Sequence, residues 1–270
     1  MKRDLQGKVL AVTGASSGIG AATAIEAARR GMNVALCARR TDKLEEVACK
    51  IVAEGGQAAA IPCNVADPAS VEHFIAETVQ RLGRLDVVYA NAGYGLVKDV
   101  LEMTDEEHRA IFETNYFGTL NTIKAAMPAL RAADNGLRHV IVCSSVVSEI
   151  SLPECGAYCA TKAAQDGLAG SLRFELEPEG FKVTTVHPVG TTSEFFTTAA
   201  EISGHRPQRR VLPSGLKQTP EHVGRRIVAA IQRPRAEVWP MLWVRFGLGI
   251  ATMFPALGRM GARKHQAPVD

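Results

Sequence analysis

A short apolar run, Val9-Leu10-Ala11-Val12, opens directly into Thr13-Gly14-Ala15-Ser16-Ser17-Gly18-Ile19-Gly20, and a helical pattern follows. Few folds use this arrangement. Glycine at three positions of one turn removes the Cβ atoms that would keep a ligand away from the backbone. The helix that begins there presents free N–H groups and positive potential to whatever sits in the turn. A glycine triplet alone is a weak signal. Framed by a buried strand and a helix start, it points to a cradle for a pyrophosphate.

The rest of the chain keeps the same rhythm. Asn33 to Cys37, Ala58 to Pro62, Leu85 to Tyr89, His139 to Cys143 and Val183 to Val186 read as further buried strands, separated by helical stretches. Near-continuous apolar strands alternating with helices predict a parallel sheet covered on both faces. Helix starts are marked by Asp67-Pro68, by Thr219-Pro220 and by a capping box at Thr104-Asp105-Glu106-Glu107. The fold class is therefore α/β, a doubly wound Rossmann-like sheet, with ligands expected beyond the carboxyl ends of the strands. No repeat, linker or low-complexity tract divides the 270 residues. We read one domain, with a catalytic unit over 1–235 and an apolar, basic extension of it over 236–270.

The second strand ends in Cys37-Ala38-Arg39-Arg40. A cofactor with a free ribose 2′-hydroxyl usually meets an acid there. Two guanidinium forks instead suit a phosphate dianion. Arg39 and Arg40 thus predict NADP(H).

Further along, Tyr158-Cys159-Ala160-Thr161-Lys162 places a phenol and an ammonium on one helical face. The ammonium is expected to lower the phenol's pKa and make Tyr158 a proton donor to a carbonyl oxygen. Ser144-Ser145 ends the fifth strand, and Asn91-Ala92-Gly93 ends the fourth. Asn115 falls inside the helix that begins at Thr104, an awkward place for a residue of poor helix propensity.

Taken in order, these motifs resemble those of the short-chain dehydrogenase/reductase family, over about residues 5 to 235. The resemblance implies a catalytic tetrad of Asn115, Ser145, Tyr158 and Lys162. Ser145 would hydrogen-bond the substrate carbonyl, and Tyr158 would pass the proton. Lys162 would bind the nicotinamide ribose and tune Tyr158, and Asn115 would hold a water linking Lys162 to solvent. The implied cofactor set is Gly14, Ser16, Ser17, Gly18, Ile19, Gly20, Arg39, Arg40, Asn64, Val65, Asn91, Ala92, Gly93, Tyr158, Lys162, Pro188, Thr191 and Ser193. No metal is implied. Two departures stand out. Asn64-Val65 replaces the usual Asp-Val near the adenine, and Pro188-Val189-Gly190 replaces Pro-Gly near the nicotinamide. An Asn carbonyl still accepts a hydrogen bond, so adenine binding is expected to survive.

Residues 191–219 correspond to the family's substrate lid and contain Phe195, Phe196, His205, Arg206, Arg209 and Arg210. Phenylalanines followed by arginines suggest an apolar carbonyl compound. The expected activity is reduction of a ketone or aldehyde, or oxidation of the matching alcohol. Alternatives are a 3-oxoacyl-carrier-protein reductase and a catalytically silent nucleotide-sensing or scaffold protein; the complete tetrad argues against the latter. His187 and the cysteines beside Tyr158 read as structural.

The formal charge of +3 hides an asymmetry, because His205 to Lys264 holds 12 bases and two acids. Such a basic segment suits an anionic substrate, an acidic partner, a membrane surface or a merely solvated face. The tail, with Trp239, Trp243, Phe246, Phe254 and Leu257, holds more large apolar groups than water should be left to cover. Phe246 to Gly258 is only 13 uncharged residues, too short for a span. With Arg259, Arg263 and Lys264 it fits either an interfacial membrane contact or packing on a subunit. Removing it after Arg235 is expected to leave cofactor binding largely intact. The six cysteines form no CxxC pair, which implies a reducing, cytoplasmic setting. A homodimer or homotetramer is expected by resemblance, and no nucleic-acid partner is.

Overall fold

The computed structural model describes residues 2–204 and 217–253. Its centre is a seven-stranded sheet of order β3-β2-β1-β4-β5-β6-β7. The strands are β1 Val9–Thr13, β2 Asn33–Ala38, β3 Ala58–Pro62, β4 Val87–Ala90, β5 His139–Cys143, β6 Lys182–Val186 and β7 Glu237–Val238. Every neighbouring pair is parallel. Along the chain the strands step outward from β1 to β3, then resume at β4 on the other side of β1. That reversal opens a crevice at the carboxyl ends of β1 and β4.

The six expected strands are present with ends shifted by no more than two residues. The seventh, β7, was not expected and lies just past the boundary drawn at residue 235. Both sheet faces are covered, so most strand positions are buried; Pro62 at the end of edge strand β3 and Lys182 at the start of β6 are exposed. Within β1, Leu10 and Val12 enter one core with Val34, Leu36 and Tyr89, while Val9 and Ala11 enter the other with Val88, Val140 and Val142. The alternation is the two-residue period of a strand, with apolar side chains on both sides.

The helices start where the capping residues place them. Asp67 caps α3 (Pro68–Leu82) by accepting from Ala69 N at 3.0 Å. Thr104 and Glu107 form the reciprocal box at the head of α4 (Asp105–Phe112). Thr219 caps α8 (Pro220–Gln232) by accepting from His222 N at 3.2 Å. At Gly224, α8 lies close upon α1 (Gly18–Arg29): a Cβ there would come within 3.0 Å of the Ala22 backbone. Helices α2 (Thr41–Ala53), α5 (Gly118–Ala132), α6 (Gly156–Leu176), α7 (Phe195–Ser203) and α9 (Leu242–Met253) complete the described set.

One sequence expectation is corrected. Asn115 is not inside the helix begun at Thr104, because α4 ends at Phe112 and residues Glu113–Phe117 form a single π turn. The tail keeps the open apolar face that the sequence leaves to a subunit or a membrane. Trp239 and Val244 are buried, but among the described residues Trp243 is 59% and Phe246 73% exposed. Burial of one face of α9 leaves the opposite face open, so the helix is amphipathic only in position, not in composition. Phe254, Leu257, Arg259, Arg263 and Lys264 lie outside the described residues. None of the described helices is long and apolar enough to cross a membrane.

Candidate active site

The glycine turn is built as its sequence demands. Gly14 and Gly18 hold φ of +67° and +57°, in the left-handed region that side chains resist. A Cβ on Gly14 would lie 2.8 Å from Ala92 Cα, and one on Gly20 2.4 Å from Gly14 O. Asn91 braces the turn from β4, donating from Nδ2 to Thr13 O at 2.9 Å and to Gly14 O at 3.2 Å. The Thr13 hydroxyl accepts from Asn91 N and Ala92 N at 3.0 and 3.1 Å. Asn91 therefore shapes the cradle rather than offering a free amide to a ligand. Ser193 approaches the same turn: its Cβ lies 3.5 Å from where a Gly18 Cβ would stand.

Arg40 leans over the turn, donating to Ser17 Oγ at 2.6 Å and Ser16 Oγ at 3.1 Å. Its other nitrogen meets Glu194 Oε2 at 2.8 Å, and Lys43 Nζ meets Glu194 Oε1 at 2.5 Å. These two bases hold the Glu194 carboxyl down to about 2. Glu194 and Lys43 were not singled out in the sequence, because more than 150 residues separate them. Arg39 is exposed, and its charge lowers the pKa of Tyr94 against the larger effect of burial. Of the two arginines, Arg40 is thus the one placed at the turn. The Asn64 side chain accepts from Ala66 N at 3.3 Å at the exposed end of β3, while Val65 is buried against Gly118.

The tetrad residues converge beyond β4 and β5. Asn115 is fully buried in its π turn. Its amide donates to Tyr94 O at 3.0 Å and Thr161 Oγ1 at 3.1 Å, and its Oδ1 accepts from Tyr94 N. Its own carbonyl accepts from Thr119 Oγ1 at 2.8 Å and Gln165 Nε2 at 2.7 Å. The wider π turn clasps α6 to the loop after β4 through this one residue. Ser145 follows β5, its Oγ accepting from Val147 N at 3.3 Å, and its hydroxyl favours the ionised form of the Tyr158 phenol.

Lys162 is 3% exposed and donates from Nζ to Cys143 O at 2.8 Å, with the Tyr158 ring centroid 5.6 Å away. Burial pulls its pKa down, against the pull of Cys143 and Asp166. The expectation that Lys162 would lower the Tyr158 pKa is corrected here. Burial of the phenol dominates and pushes it well up, and the Ser145 hydrogen bond offsets only part of that. A phenol is protonated around neutral pH in any case, and burial makes the phenolate harder to form.

Phe195 stands over Tyr158 with ring centroids 5.4 Å apart. Leu96, Met103, Ile111 and Ala157 form an apolar cluster beside Tyr94, Phe112 and Tyr158. The lid's ends are clasped: Thr192 N donates to Gln218 O at 2.9 Å and Gln218 N to Gly190 O at 3.0 Å. The Thr191 hydroxyl donates to Val189 O at 2.9 Å. Pro188 accepts from Val146 N at 3.1 Å, tying the loop after β6 to the segment after Ser145. The Phe196 side chain is not described, and His205, Arg206, Arg209 and Arg210 lie outside the described residues.

His187 is placed by contacts the sequence could not show. It is buried, stacks on Trp239 with centroids 4.2 Å and planes 2° apart, and sets Nδ1 3.4 Å from Ser145 O. Glu149, Asp166 and His187 bring one ligating atom each within 4.8 Å of the others, the one such grouping among the described residues.

A cleft with a Cβ-free phosphate turn and a Ser–Tyr–Lys cluster at one sheet edge is that of a nucleotide-dependent oxidoreductase. The family profile described as short chain dehydrogenase matches residues 8–202, and the chain belongs to that family. It is 33% identical over 234 residues to the glycine betaine reductase of Emericella nidulans, covering 86% of this chain but only 18% of that protein. A short chain dehydrogenase from Burkholderia cenocepacia, solved with NADP, superposes with a TM-score of 0.76 at 26% identity, covering 87% of this chain and 96% of that one. A 3-ketoacyl-(acyl-carrier-protein) reductase from Brucella melitensis, solved with NADH, has a TM-score of 0.76 at 25% identity, covering 86% and 93%.

Proposed function

We propose that the chain is an NADP(H)-dependent oxidoreductase that interconverts a ketone or aldehyde and the corresponding alcohol, and that its substrate is apolar or lipid-like. The observation that carries this reading is the convergence of Ser145, Tyr158, Lys162 and Asn115 beside a glycine cradle too tight for a Cβ. The cradle fits a dinucleotide: Gly14 and Gly20 let the turn fold tightly against Asn91 and Ala92 where a Cβ would clash, and Arg40 with Ser16 and Ser17 offers donors suited to a 2′-phosphate. When bound, the nicotinamide supplies or takes the hydride.

The chain's own residues do the rest. Ser145 donates a hydrogen bond to the substrate oxygen and orients it. Tyr158, a phenol and so protonated at neutral pH, gives its phenolic proton to that oxygen during reduction. Lys162, fixed to Cys143 O, holds positive charge beside the ring where negative charge grows as the proton leaves. Phe195 and the Leu96–Met103–Ile111 cluster exclude water and favour an apolar substrate.

The catalytic unit of residues 1–235, a homo-oligomer and a cytoplasmic setting belong to the same reading. A panel of aldehydes and ketones with NADPH oxidation as readout tests it. Turnover of apolar members is expected; NADPH binding without turnover of any member would favour the silent nucleotide-binding alternative.

A further inference from the structure

At the amino-terminal ends of β5, β6 and β7, opposite the catalytic edge, lies a groove of about 630 Å³. It is lined by Lys2, Arg3, Arg173, Lys182, Arg233 and Arg235, with Glu177 as the single acid. None of these seven forms an ion pair among the described residues. Six cations gathered in one concavity with a single counter-charge repel each other and focus the field into the groove.

Part of that charge has an internal explanation. Helices α6 and α8 end here, and their carbonyl ends favour nearby cations. Arg173 donates to Val183 O at 3.3 Å and Ala236 O at 3.0 Å, so it serves the wall. Arg3 is different. Its backbone N anchors to Gln232 O at 2.8 Å, yet its Nη1 is buried with no hydrogen-bond partner. A buried guanidinium nitrogen without an acceptor is costly and rare. His139, the cross-strand neighbour of Lys182, registers the same field: burial and then the Arg3 and Lys182 charges lower its pKa to about 3.

We propose that this groove binds a small molecule carrying two or more phosphate charges, with Arg3, Lys182, Arg233 and Arg235 as the donors. The volume falls in the range of small-ligand sites. The six cations line one open concavity of limited volume, which favours a compact ligand over a bilayer or a protein face. Phe181, Val183 and Pro234 add apolar wall for the rest of such a molecule. Part of the basic segment singled out in the sequence, Arg233 and Arg235, thereby acquires a role remote from the reaction.

The test uses the full chain and inorganic pyrophosphate, followed by calorimetry and thermal melting at constant ionic strength. Pyrophosphate should bind saturably at one site with Arg40→Ala in place, which removes the competing anion contact at the glycine turn. Arg3→Ala and Arg235→Glu should each weaken binding roughly tenfold or more. If either variant fails to fold, Lys182→Ala serves, since that side chain is exposed. Phosphatidylcholine vesicles containing phosphatidic acid form the second arm. Binding that persists in the Arg3 and Arg235 variants, a shift reproduced by chloride alone, or vesicle capture without pyrophosphate binding would each overturn the proposal.

Discussion

Arg40 and Glu194 form an ion pair of 2.8 Å that joins the end of β2 to the start of the lid helix α7. The same guanidinium reaches the two serines of the glycine turn, so the lid carboxylate and a ribose 2′-phosphate draw on one donor. NADPH is expected to bind at least about tenfold more tightly than NADH, or ~1.4 kcal/mol. Arg40→Ala should remove most of that preference, and more of it than Arg39→Ala does. Glu194→Gln, by releasing the donor, should tighten NADPH without tightening NADH. Fluorescence titration of both cofactors checks this; equal affinities in the parent protein would refute the NADP(H) assignment.

Tyr158→Phe should lower turnover by ~10²–10⁴-fold while NADPH still binds, since only the proton donor is lost. Ser145→Ala should lower turnover without abolishing cofactor binding either. Steady-state rates beside a cofactor titration separate the two effects, and near-normal turnover in Tyr158→Phe would remove the proposed acid.

Burial raises the Tyr158 pKa, which makes the two reaction directions respond differently to pH. Reduction needs the protonated phenol, already present at neutral pH, so its rate should stay flat from about pH 6 to 9 on the enzyme side. Alcohol oxidation needs the phenolate, so its rate should climb with pH across that window. A reduction rate that falls steadily from pH 6 to 8 would contradict a phenol held up by burial.

His139 is fully buried, its Nε2 2.8 Å from Thr184 Oγ1, and its pKa is lowered to about 3. In the unfolded chain an imidazole titrates near ~6.5. Between those values the unfolded state binds the extra proton, so stability is full above about pH 6.5 and declines as pH falls toward 3. The slope should approach ~1.4 kcal/mol per pH unit for this one group. Denaturant unfolding at several pH values should show it, and His139→Gln should flatten it. An unchanged slope in that variant would assign the acid sensitivity elsewhere.

The stack of Trp239 on His187 moves the place where the tail can be cut. A chain ending at Arg235 loses β7 and this stack, so the expectation of largely intact cofactor binding is transferred to a chain ending at Pro240. Trp239→Ala alone should cost about 3 kcal/mol or more. Melting of the two truncations is the check: equal midpoints would show that β7 and Trp239 contribute nothing.

What was legible in the sequence is what is local. The glycine turn, the capping residues and the four-residue step from Tyr158 to Lys162 each depend on neighbours within one element, so pattern and spacing suffice. The strand β7 has two residues and becomes a strand only by pairing with β6. Lys43, Glu194 and Trp239 meet partners 52 to 151 residues distant, and no spacing rule reports such contacts. The phenol's raised pKa depends on what encloses it, which the Tyr158–Lys162 step alone does not reveal.

The π turn at Glu113–Phe117 has a consequence for how this chain can vary. A π turn amounts to one residue added within an α-helix. Deleting one residue there would return the segment to α geometry and leave the helices on either side in register, because the bulge has already absorbed that residue. Gly118 would keep its seat on Val65, while Asn115 would lose the widened turn that carries its amide to Tyr94 and Thr161. The chain can lose this one residue and keep its helices, but not the clasp between α6 and the loop after β4.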